Sequence, residues 1–400
     1  MIYSSNMKSS VYIHIPFCSS RCSYCDFNTY AGLDDLILPY VRALCDEIEV
    51  VGQNLPEIYR GKIHTVYFGG GTPSLLHPRA LRQILSSLKQ SFGLGENPEI
   101  CLEANPGTLS LDKLRGYADS GINRLSLGFQ SANRNELELL GRNHSLQDVS
   151  QAVEFARLAG IRNLNLDLIY GLPNQTLKQW ENTLKVALSY DVEHLSLYSL
   201  TIEEGTPLNE WIRLGRYPSP DADFAADCYE LARDLLEASG YLHYEISNWA
   251  KRAGEKVFIC HHNLQYWKTG EYFGFGAGAH GFVGGYRLVN VLHPASYIDR
   301  MAAYHLCIFP SSPATENLEK IENDVLMKDT VMLGLRLVAE GIDEQEFAQR
   351  FGMRLSEAFA NEIARLIRKG LVEWVETDRR RLRLTRRGQL LGNQAFMEFV

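Results

Sequence analysis

The first half of the 400-residue chain alternates short apolar runs with longer amphipathic segments. Short apolar runs are typical of buried strands, and a 3.6-residue hydrophobic period is typical of a helix. Strands that alternate with helices pair in parallel through right-handed crossovers. The pattern therefore predicts an α/β fold, a complete or partial (β/α) barrel. The predicted strands are Val11–Ile15, His64–Phe68, Ile100–Ala104, Arg124–Phe129, Asn163–Ile169 and His194–Ser199, and the predicted helices are Leu36–Val51, Arg79–Phe92, Leu111–Ser120, Leu146–Ala159 and Leu177–Tyr190.

The pattern becomes less regular further along, which divides the chain into three predicted parts. Residues 1–210 form the barrel, residues 211–310 extend it, and residues 318–400 form a C-terminal domain. The segment Pro310–Asn317 is rich in Pro, Ser and Asn and is predicted to be a linker. The last part has the element order of a winged helix. The predicted elements beyond the barrel are helix Ala222–Ala238, strand Tyr241–Ser247, helices Asp324–Ala339, Glu344–Phe351 and Ser356–Lys369, and strands Val372–Glu376 and Arg381–Leu384.

Charge and composition narrow the class of protein. The net charge of -8 argues against broad binding to nucleic acid or to anionic membranes. No apolar run approaches the roughly 20 residues of a membrane-spanning helix, and Met1–Ser10 lacks the apolar core of a signal peptide. We therefore expect a cytoplasmic protein without a membrane span. Because the cytoplasm keeps thiols reduced, we do not expect the eight cysteines to form a disulfide framework.

Unusual polar or metal-binding residues fall at or near the ends of all six predicted barrel strands. Catalytic groups of barrel enzymes gather at the carboxyl ends of the strands, where loops from several strands meet. The sequence therefore predicts one site at this end of the barrel. The residues concerned are Cys18, Gly69–Pro73, Glu103, Asn105, Gln130, Asp167 and Tyr198.

Three cysteines, Cys18, Cys22 and Cys25, form a CxxxCxxC loop directly after the first predicted strand. Three thiolates on one [4Fe–4S] cubane leave the fourth iron free to chelate the amino and carboxylate groups of S-adenosylmethionine (SAM). Zinc and a plain surface loop are the alternatives, but structural zinc usually takes a fourth Cys or His in paired CxxC spacings. The position after a strand, with a glycine-rich turn downstream, favours the cluster.

That glycine-rich turn, Gly69–Pro73, follows the second predicted strand. Three glycines let the backbone approach a ligand closely and expose amide and carbonyl groups that can fix the methionyl ammonium. A tight turn is the plainer interpretation of a lone glycine run, but the cysteine loop favours a SAM cradle. Glu103 can bond the amino group or ribose of the ligand, and Gln130, Arg142 and Asp167 are polar groups at the same end.

Together these motifs resemble the oxygen-independent coproporphyrinogen III oxidase family of radical SAM proteins, over nearly the whole chain. The resemblance implies a radical SAM partial (β/α) barrel with a C-terminal winged-helix-like domain, and an electron donor such as flavodoxin or ferredoxin. It further implies contacts to the cluster-bound SAM from Tyr12, Gly70, Glu103 and Thr201, and contacts to a second SAM from Tyr24, Gly71, Thr72, Gln130, Arg142 and Asp167. The motifs are Tyr12–Phe27, Gly69–Pro73, Glu103–Pro106, Gly128–Ser131, Leu140–His144, Asp167–Pro173 and Gly274–Gly281.

The sequence departs from the oxidase pattern at two points, and these departures distinguish two possible functions. The oxidase resembles CxxxCxxCxC, whereas this chain has Phe27 at the final position, and it begins only a few residues before its first predicted strand. Both features are similar to the HemW-type haem chaperone branch of the family. The leading hypothesis is therefore a haem chaperone that binds haem and transfers it to an acceptor protein. The alternative is an enzyme that converts coproporphyrinogen III to protoporphyrinogen IX by a 5′-deoxyadenosyl radical, which the missing thiol disfavours.

The run from His262 through Tyr266 to Trp267 matches the HNxxYW motif that is associated with haem binding in that branch. Imidazole is a good iron ligand and flat aromatic rings suit a porphyrin face. His262 and Tyr266 would share a face of a helix. The plainer interpretation is that these residues fill a core. Cys260, His261 and His280 are rival ligands.

Arginines at Arg379–Arg381 and Arg386–Arg387 leave a nucleic-acid-binding winged helix as a third possibility. Phosphate affinity needs a broad basic footprint. In an acidic protein, a solvated face is the favoured interpretation, with the domain closing the barrel or meeting the haem acceptor.

Overall fold

The computed structural model describes residues 8–303, 307–376 and 378–400. Residues 1–7 of the segment Met1–Ser10, in which no signal peptide is predicted, lie outside the described residues. The strands are β1 (Ser9–Ile15), β2 (Phe17–Cys18), β3 (Tyr30–Ala31), β4 (Ile63–Gly70), β5 (Leu94–Ala104), β6 (Arg124–Gln130), β7 (Asn163–Tyr170), β8 (His194–Ser199), β9 (Tyr241–Glu245), β10 (Asn248–Ala253), β11 (Lys256–Val257), β12 (Tyr272–Phe275), β13 (His280–Val283), β14 (Tyr286–Asn290), β15 (Thr315–Lys320), β16 (Ile342–Asp343), β17 (Val372–Glu376) and β18 (Arg380–Leu384).

The helices are α1 (Ile37–Gln53), α2 (Pro78–Phe92), α3 (Leu111–Ser120), α4 (Arg134–Leu139), α5 (Leu146–Leu158), α6 (Leu177–Ser189), α7 (Pro207–Arg213), α8 (Ala222–Ala238), α9 (His261–Trp267), α10 (Pro294–Ala302), α11 (Asn323–Gly334), α12 (Glu344–Phe351), α13 (Leu355–Ala358), α14 (Ala360–Arg368), α15 (Arg386–Leu390) and α16 (Gly392–Phe396). None of these helices is both long enough and apolar enough to cross a bilayer.

A curved sheet with parallel strands at its centre confirms the predicted α/β partial barrel. The parallel strands lie in the order β12-β1-β4-β5-β6-β7-β8. The two outer strands, β12 and β8, do not pair with each other but continue into antiparallel strands, so the barrel stays open. All six predicted strands are present, and β12 adds a further parallel strand beside β1.

Alternation along the strands separates the two faces of this sheet. On β1, Val11, Ile13 and Ile15 are fully buried and belong to the large hydrophobic core beneath the helices. The intervening residues are polar and point inward, because successive strand residues face opposite sides. The interior of the barrel is therefore lined by polar side chains rather than by an apolar core.

The prediction that Pro310–Asn317 is a linker is wrong in part, because its end belongs to a strand. The last residues of Pro310–Asn317 enter β15, which pairs antiparallel with β14 and places Leu318 opposite Leu288. Most side chains of β15 are exposed because it is an edge strand of the large sheet. An exposed edge strand has no apolar alternation, so its sequence carried no strand signal. The three-part division at residues 210, 310 and 318 stays a prediction.

The C-terminal residues form a small unit with its own hydrophobic core. Its order is α11, β16, α12, α13, α14, β17 and β18, with the strands paired β16-β18-β17, which is the arrangement of a winged helix. The predicted helix Ser356–Lys369 is interrupted at Phe359, whose backbone is not helical. The core of this unit is built from residues such as Leu335, Phe347, Leu366 and Leu382.

Four of the five arginines at Arg379–Arg381 and Arg386–Arg387 are paired with carboxylates. Arg379 and Arg381 contact Asp343 at 3.2 and 3.3 Å. Arg380 contacts Glu344 at 3.0 Å, and Arg386 contacts Glu230 of α8. Paired guanidinium groups leave little uncompensated positive charge for a phosphate backbone.

Candidate functional site

A cavity of about 810 Å³ lies at the carboxyl end of the parallel strands. Six neighbouring strands or the loops directly after them contribute to its wall, as the sequence predicted. The contributing residues include Cys18, Gly70, Glu103, Gln130, Asp167 and Tyr198.

The three cysteines of the loop all line this cavity. A backbone hydrogen bond fixes the cysteine loop to the rest of the barrel: the N–H of Ser23 donates to the carbonyl of Leu140 at 3.2 Å. The hydroxyl of Thr72 donates to Cys18 Sγ at 3.6 Å. Burial raises the pKa of the thiols of Cys18 and Cys22, so a bound cation is needed to hold them as thiolates. Within the described residues, no three His, Cys, Asp or Glu side chains surround one ion position.

The glycine turn fits against the cysteine loop with no room for side chains. The N–H groups of Gly71 and Thr72 donate to the carbonyls of Ile15 and Phe17, both at 2.8 Å. A Cβ atom on Gly71 would lie 2.6 Å from the Phe17 carbonyl oxygen and 3.0 Å from Cys18 Sγ. Gly70 has a φ of 115°, which side chains rarely adopt. The turn is therefore a close-fitting cradle beside the thiols.

Glu103 presents a partly buried carboxylate to the cavity beside this cradle. Its two oxygens accept hydrogen bonds from Tyr67 Oη at 2.8 Å and from the Gly70 N–H at 3.1 Å. Burial, together with the nearby charge of Asp167, raises the pKa of Glu103 to about 7. A carboxylate held in this way gains most from a cationic partner, such as the ammonium of an amino acid.

Arg142 brings a partly buried positive charge to the cavity, beside the cysteine loop. Its guanidinium donates to Tyr24 Oη at 2.8 Å, while its Nε atom is buried and has no hydrogen-bond partner in the described chain. Burial disfavours its charge, but Tyr24 and the thiols of Cys22 and Cys25 raise the pKa of Arg142 overall. This group therefore stays charged and can meet an anionic ligand group. Gln130, which also lines the cavity, has a φ of 63°, and such strain in a non-glycine residue is found at ligand sites.

Asp167 begins a hydrogen-bonded chain that runs through the barrel. It accepts from Ser126 Oγ at 2.8 Å and from Asn165 Nδ2 at 2.9 Å. The Asn165 amide oxygen meets His194 Nδ1 at 2.7 Å, and His194 Nε2 meets Tyr244 Oη at 2.8 Å. The Tyr244 hydroxyl in turn accepts from the backbone N–H of the residue before α9, at 3.2 Å. The cavity and α9 are therefore connected by buried polar groups.

Two regions of the chain match known protein families. Residues 12–187 match the Radical SAM superfamily, and residues 321–391 match the HemN C-terminal domain. The chain is 39% identical over 395 residues to the protein named haem chaperone HemW from Bacillus subtilis, covering 98% of this chain and 99% of that one. It is 35% identical to HemW from Lactococcus lactis, covering 98% and 97%. This chain belongs to the HemW family of radical SAM proteins.

The same fold is present in a solved structure. That structure is coproporphyrinogen III oxidase (HemN) from Escherichia coli, with a TM-score of 0.81 and 23% identity over 100% of this chain and 91% of that one. A mouse relative, radical S-adenosyl methionine domain-containing protein 1, mitochondrial, is 33% identical and covers 92% of this chain and 83% of the mouse chain.

Membership of the radical SAM superfamily implies a [4Fe–4S] cluster and SAM. The residues of this HemW-family chain fit both groups, because three thiols and a side-chain-free cradle share one wall of the cavity. Gly71, Thr72, Tyr24, Gln130, Arg142, Asp167 and Thr201 also line the cavity. Tyr12 is not on the cavity wall, and its hydroxyl bonds His14 Nδ1 at 3.0 Å.

The HNxxYW motif of this HemW-family chain lies away from the cavity, on α9. His262 is only 1% exposed, and its Nδ1 and Nε2 atoms each lie 2.8 Å from a hydroxyl oxygen, those of Thr65 and Tyr266 respectively. Burial lowers the pKa of His262 to about 3. Trp267 lies under the guanidinium of Arg336, 4.3 Å from the ring centre. The motif helix therefore closes the amino end of the barrel in this structure.

Tyr67, Ser126 and Asn165 support the site and were missed by the sequence reasoning. Each lies two residues from another polar, inward-facing position of its strand, at Thr65, Arg124 and Asp167. A search for polar residues at alternate positions inside strands that are otherwise apolar would have found them.

Proposed function

We propose that this HemW-family chain is a haem chaperone, which binds haem and transfers it to an acceptor protein. The observation that carries the proposal is Phe27. Its side chain is 63% exposed and lines the cavity where the oxidase pattern has a fourth cysteine. A phenyl group cannot supply a thiol to porphyrinogen chemistry. The names of the full-length relatives support the same function.

In this proposal Cys18, Cys22 and Cys25 hold the cluster, and the glycine cradle with Glu103 holds SAM. When bound, the cluster and SAM supply reducing electrons and a source of adenosyl radical. The protein positions the methionyl ammonium against Glu103 and keeps bulk water out of the cradle. Arg142, Tyr24, Gln130 and Asp167 offer polar contacts for a second SAM in the same cavity. We infer that these cofactors serve assembly or regulation of the haem-loaded state.

The partners follow from the same proposal. An electron donor such as flavodoxin or ferredoxin would reduce the cluster, and an acceptor protein would receive haem. A cytoplasmic location is proposed because the cluster thiols must stay reduced. The paired arginines of the winged-helix unit do not support nucleic acid as a partner. The HNxxYW motif lies on α9, and we propose that its residues His262, Tyr266 and Trp267 surround the haem.

The decisive experiment compares haem binding with oxidase turnover. Reconstituted and reduced protein is incubated anaerobically with SAM and coproporphyrinogen III, and in parallel apo-cluster protein is titrated with haem. We expect a stable protein-specific Soret band and no protoporphyrinogen IX. The variant Phe27→Cys is the matched control for the missing thiol. Protoporphyrinogen formation by the unchanged protein, or a haem spectrum identical to that of free haem, would overturn the chaperone proposal.

A further inference from the structure

The haem ligand of the proposed function can be sought among the histidines of the chain. The porphyrin supplies four ligands to the iron, so the protein supplies one or two axial groups. A ligating histidine offers the lone pair of one ring nitrogen, and its other N–H usually donates to a carbonyl or a carboxylate. Ten of the eleven histidines lie in the described residues.

The histidine of the motif does not meet this requirement. The hydroxyl of Thr65 donates its single proton to Ser10 Oγ at 2.6 Å, so it can only accept from His262 Nδ1. Nδ1 of His262 therefore carries the proton, and the lone pair on Nε2 accepts the hydroxyl of Tyr266. The ring has no lone pair left for iron and almost no exposed surface.

His64 meets it. The register of β1 against β4 shifts between Ser9 and Ser10, which pair with Ile63 and Thr65, so His64 is the extra residue of a β-bulge. Its Nδ1 lies 2.9 Å from the Ser9 carbonyl oxygen. A carbonyl can only accept, so Nδ1 carries the proton and Nε2 holds a lone pair. Within the described chain, no group bonds Nε2, and the residue is partly exposed.

The surroundings of His64 suit a neutral ligand next to the motif helix. Burial lowers the pKa of His64, and the positive charge of Lys8 and the neighbouring His261 lower it further. His64 also lies close enough to His262 to affect its titration. The exposed Lys8 is a suitable partner for a haem propionate.

The rival ligands are weaker. Cys260 is buried, and burial raises the pKa of its thiol to about 12, so the thiolate is disfavoured. His280 is exposed but lies near His14, towards the carboxyl end of β1 and away from the amino end where α9 lies. His261 is exposed and its ring has no hydrogen bond to the described residues, so its orientation is not fixed.

We propose that Nε2 of His64 is the axial ligand of haem iron, at the amino end of the barrel, with α9 beside the porphyrin. This inference rests on the proposed haem chaperone function. In it the motif residues shape the site, and the Ser9 carbonyl fixes the imidazole.

The test is anaerobic haem titration of the full chain, followed by Soret absorption and electron paramagnetic resonance. We expect His64→Ala to weaken haem binding at least tenfold and to remove the histidine-ligated spectrum, and we expect added imidazole to restore that spectrum. His64→Asn, whose amide N–H can replace Nδ1 as the donor to the Ser9 carbonyl, should also lose the histidine-ligated spectrum and guards against a folding defect. His280→Ala, at the carboxyl end of the barrel, is the matched control and should keep the ligated spectrum, and His262→Ala tests the motif histidine separately.

The outcomes separate the two proposals. If the unchanged protein gives no specific haem spectrum, the chaperone proposal fails and this inference fails with it. If the unchanged protein binds haem, but both His64 variants keep its spectrum and affinity, only the ligand assignment is overturned. Loss of the spectrum in His262→Ala, with retention in His64→Asn, would assign the iron to His262.

Discussion

Removing the hydroxyl of Tyr67 should shift the pH range over which SAM binds. In the proposed site the amino group of SAM donates to the ionised form of Glu103. The pKa of Glu103 is raised to about 7, so below this pH binding must first displace a proton. Each pH unit below the pKa then weakens binding about tenfold, because the carboxylate fraction falls tenfold. Above its pKa, Glu103 no longer contributes to the pH dependence of the affinity.

The size of the shift follows from the hydrogen bond. Tyr67 Oη donates to Glu103 Oε1 at 2.8 Å and lowers the pKa of that carboxyl against the effect of burial. A hydrogen bond to a charged group contributes about 1.5–3 kcal/mol. One pKa unit corresponds to about 1.4 kcal/mol. Tyr67→Phe should therefore raise the pKa of Glu103, and with it the midpoint of SAM binding, by about one to two units.

The assay is the SAM dissociation constant of the reconstituted protein, measured by calorimetry at half-unit pH steps. Tyr12→Phe is the matched control, since Tyr12 lies on the adjacent strand and its hydroxyl bonds His14 rather than Glu103. The control should keep the midpoint of the unchanged protein. The reasoning is refuted if Tyr67→Phe leaves the midpoint in place, or if the unchanged protein shows no loss of affinity below pH 7.

Two further predictions test the cradle and the barrel interior. Gly71→Ala should lower the iron and sulfide content per chain, because its Cβ would lie 2.6 Å from the Phe17 carbonyl oxygen. The control Gly107→Ala, whose Cβ has nothing nearer than 3.9 Å, should keep the iron and sulfide content of the unchanged protein. Equal iron content in both variants would contradict the proposal that the glycine turn is a close-fitting cradle. Asn165→Leu should lower the free energy of unfolding by about 2–5 kcal/mol, since Asp167, Ser126 and His194 each lose one hydrogen-bond partner inside the barrel. Chemical denaturation measures this, and a loss below about 1 kcal/mol would argue against a stabilising role of this hydrogen-bond network.

The sequence by itself determined the features that depend on near neighbours. The six predicted strands are present because apolar alternation and flanking turns act over a few residues, and the cysteine loop was recognisable from its spacing. The end of the barrel that carries the site followed from the direction of parallel strands. The extra strand β12 and the edge strand β15 were not predicted as such, because one is very short and the other is exposed.

Tertiary structure alone decided which side chains meet. Tyr67 and Glu103 are 36 residues apart, and Thr65 and His262 are 197 apart. Such partners are set by strand register, and a shift of one residue turns every side chain to the other face. The HNxxYW motif therefore gave no information about the two hydrogen bonds that occupy both ring nitrogens of His262. The same register placed His64 at a bulge that no local pattern marks, with a ring nitrogen that has no partner among the described residues.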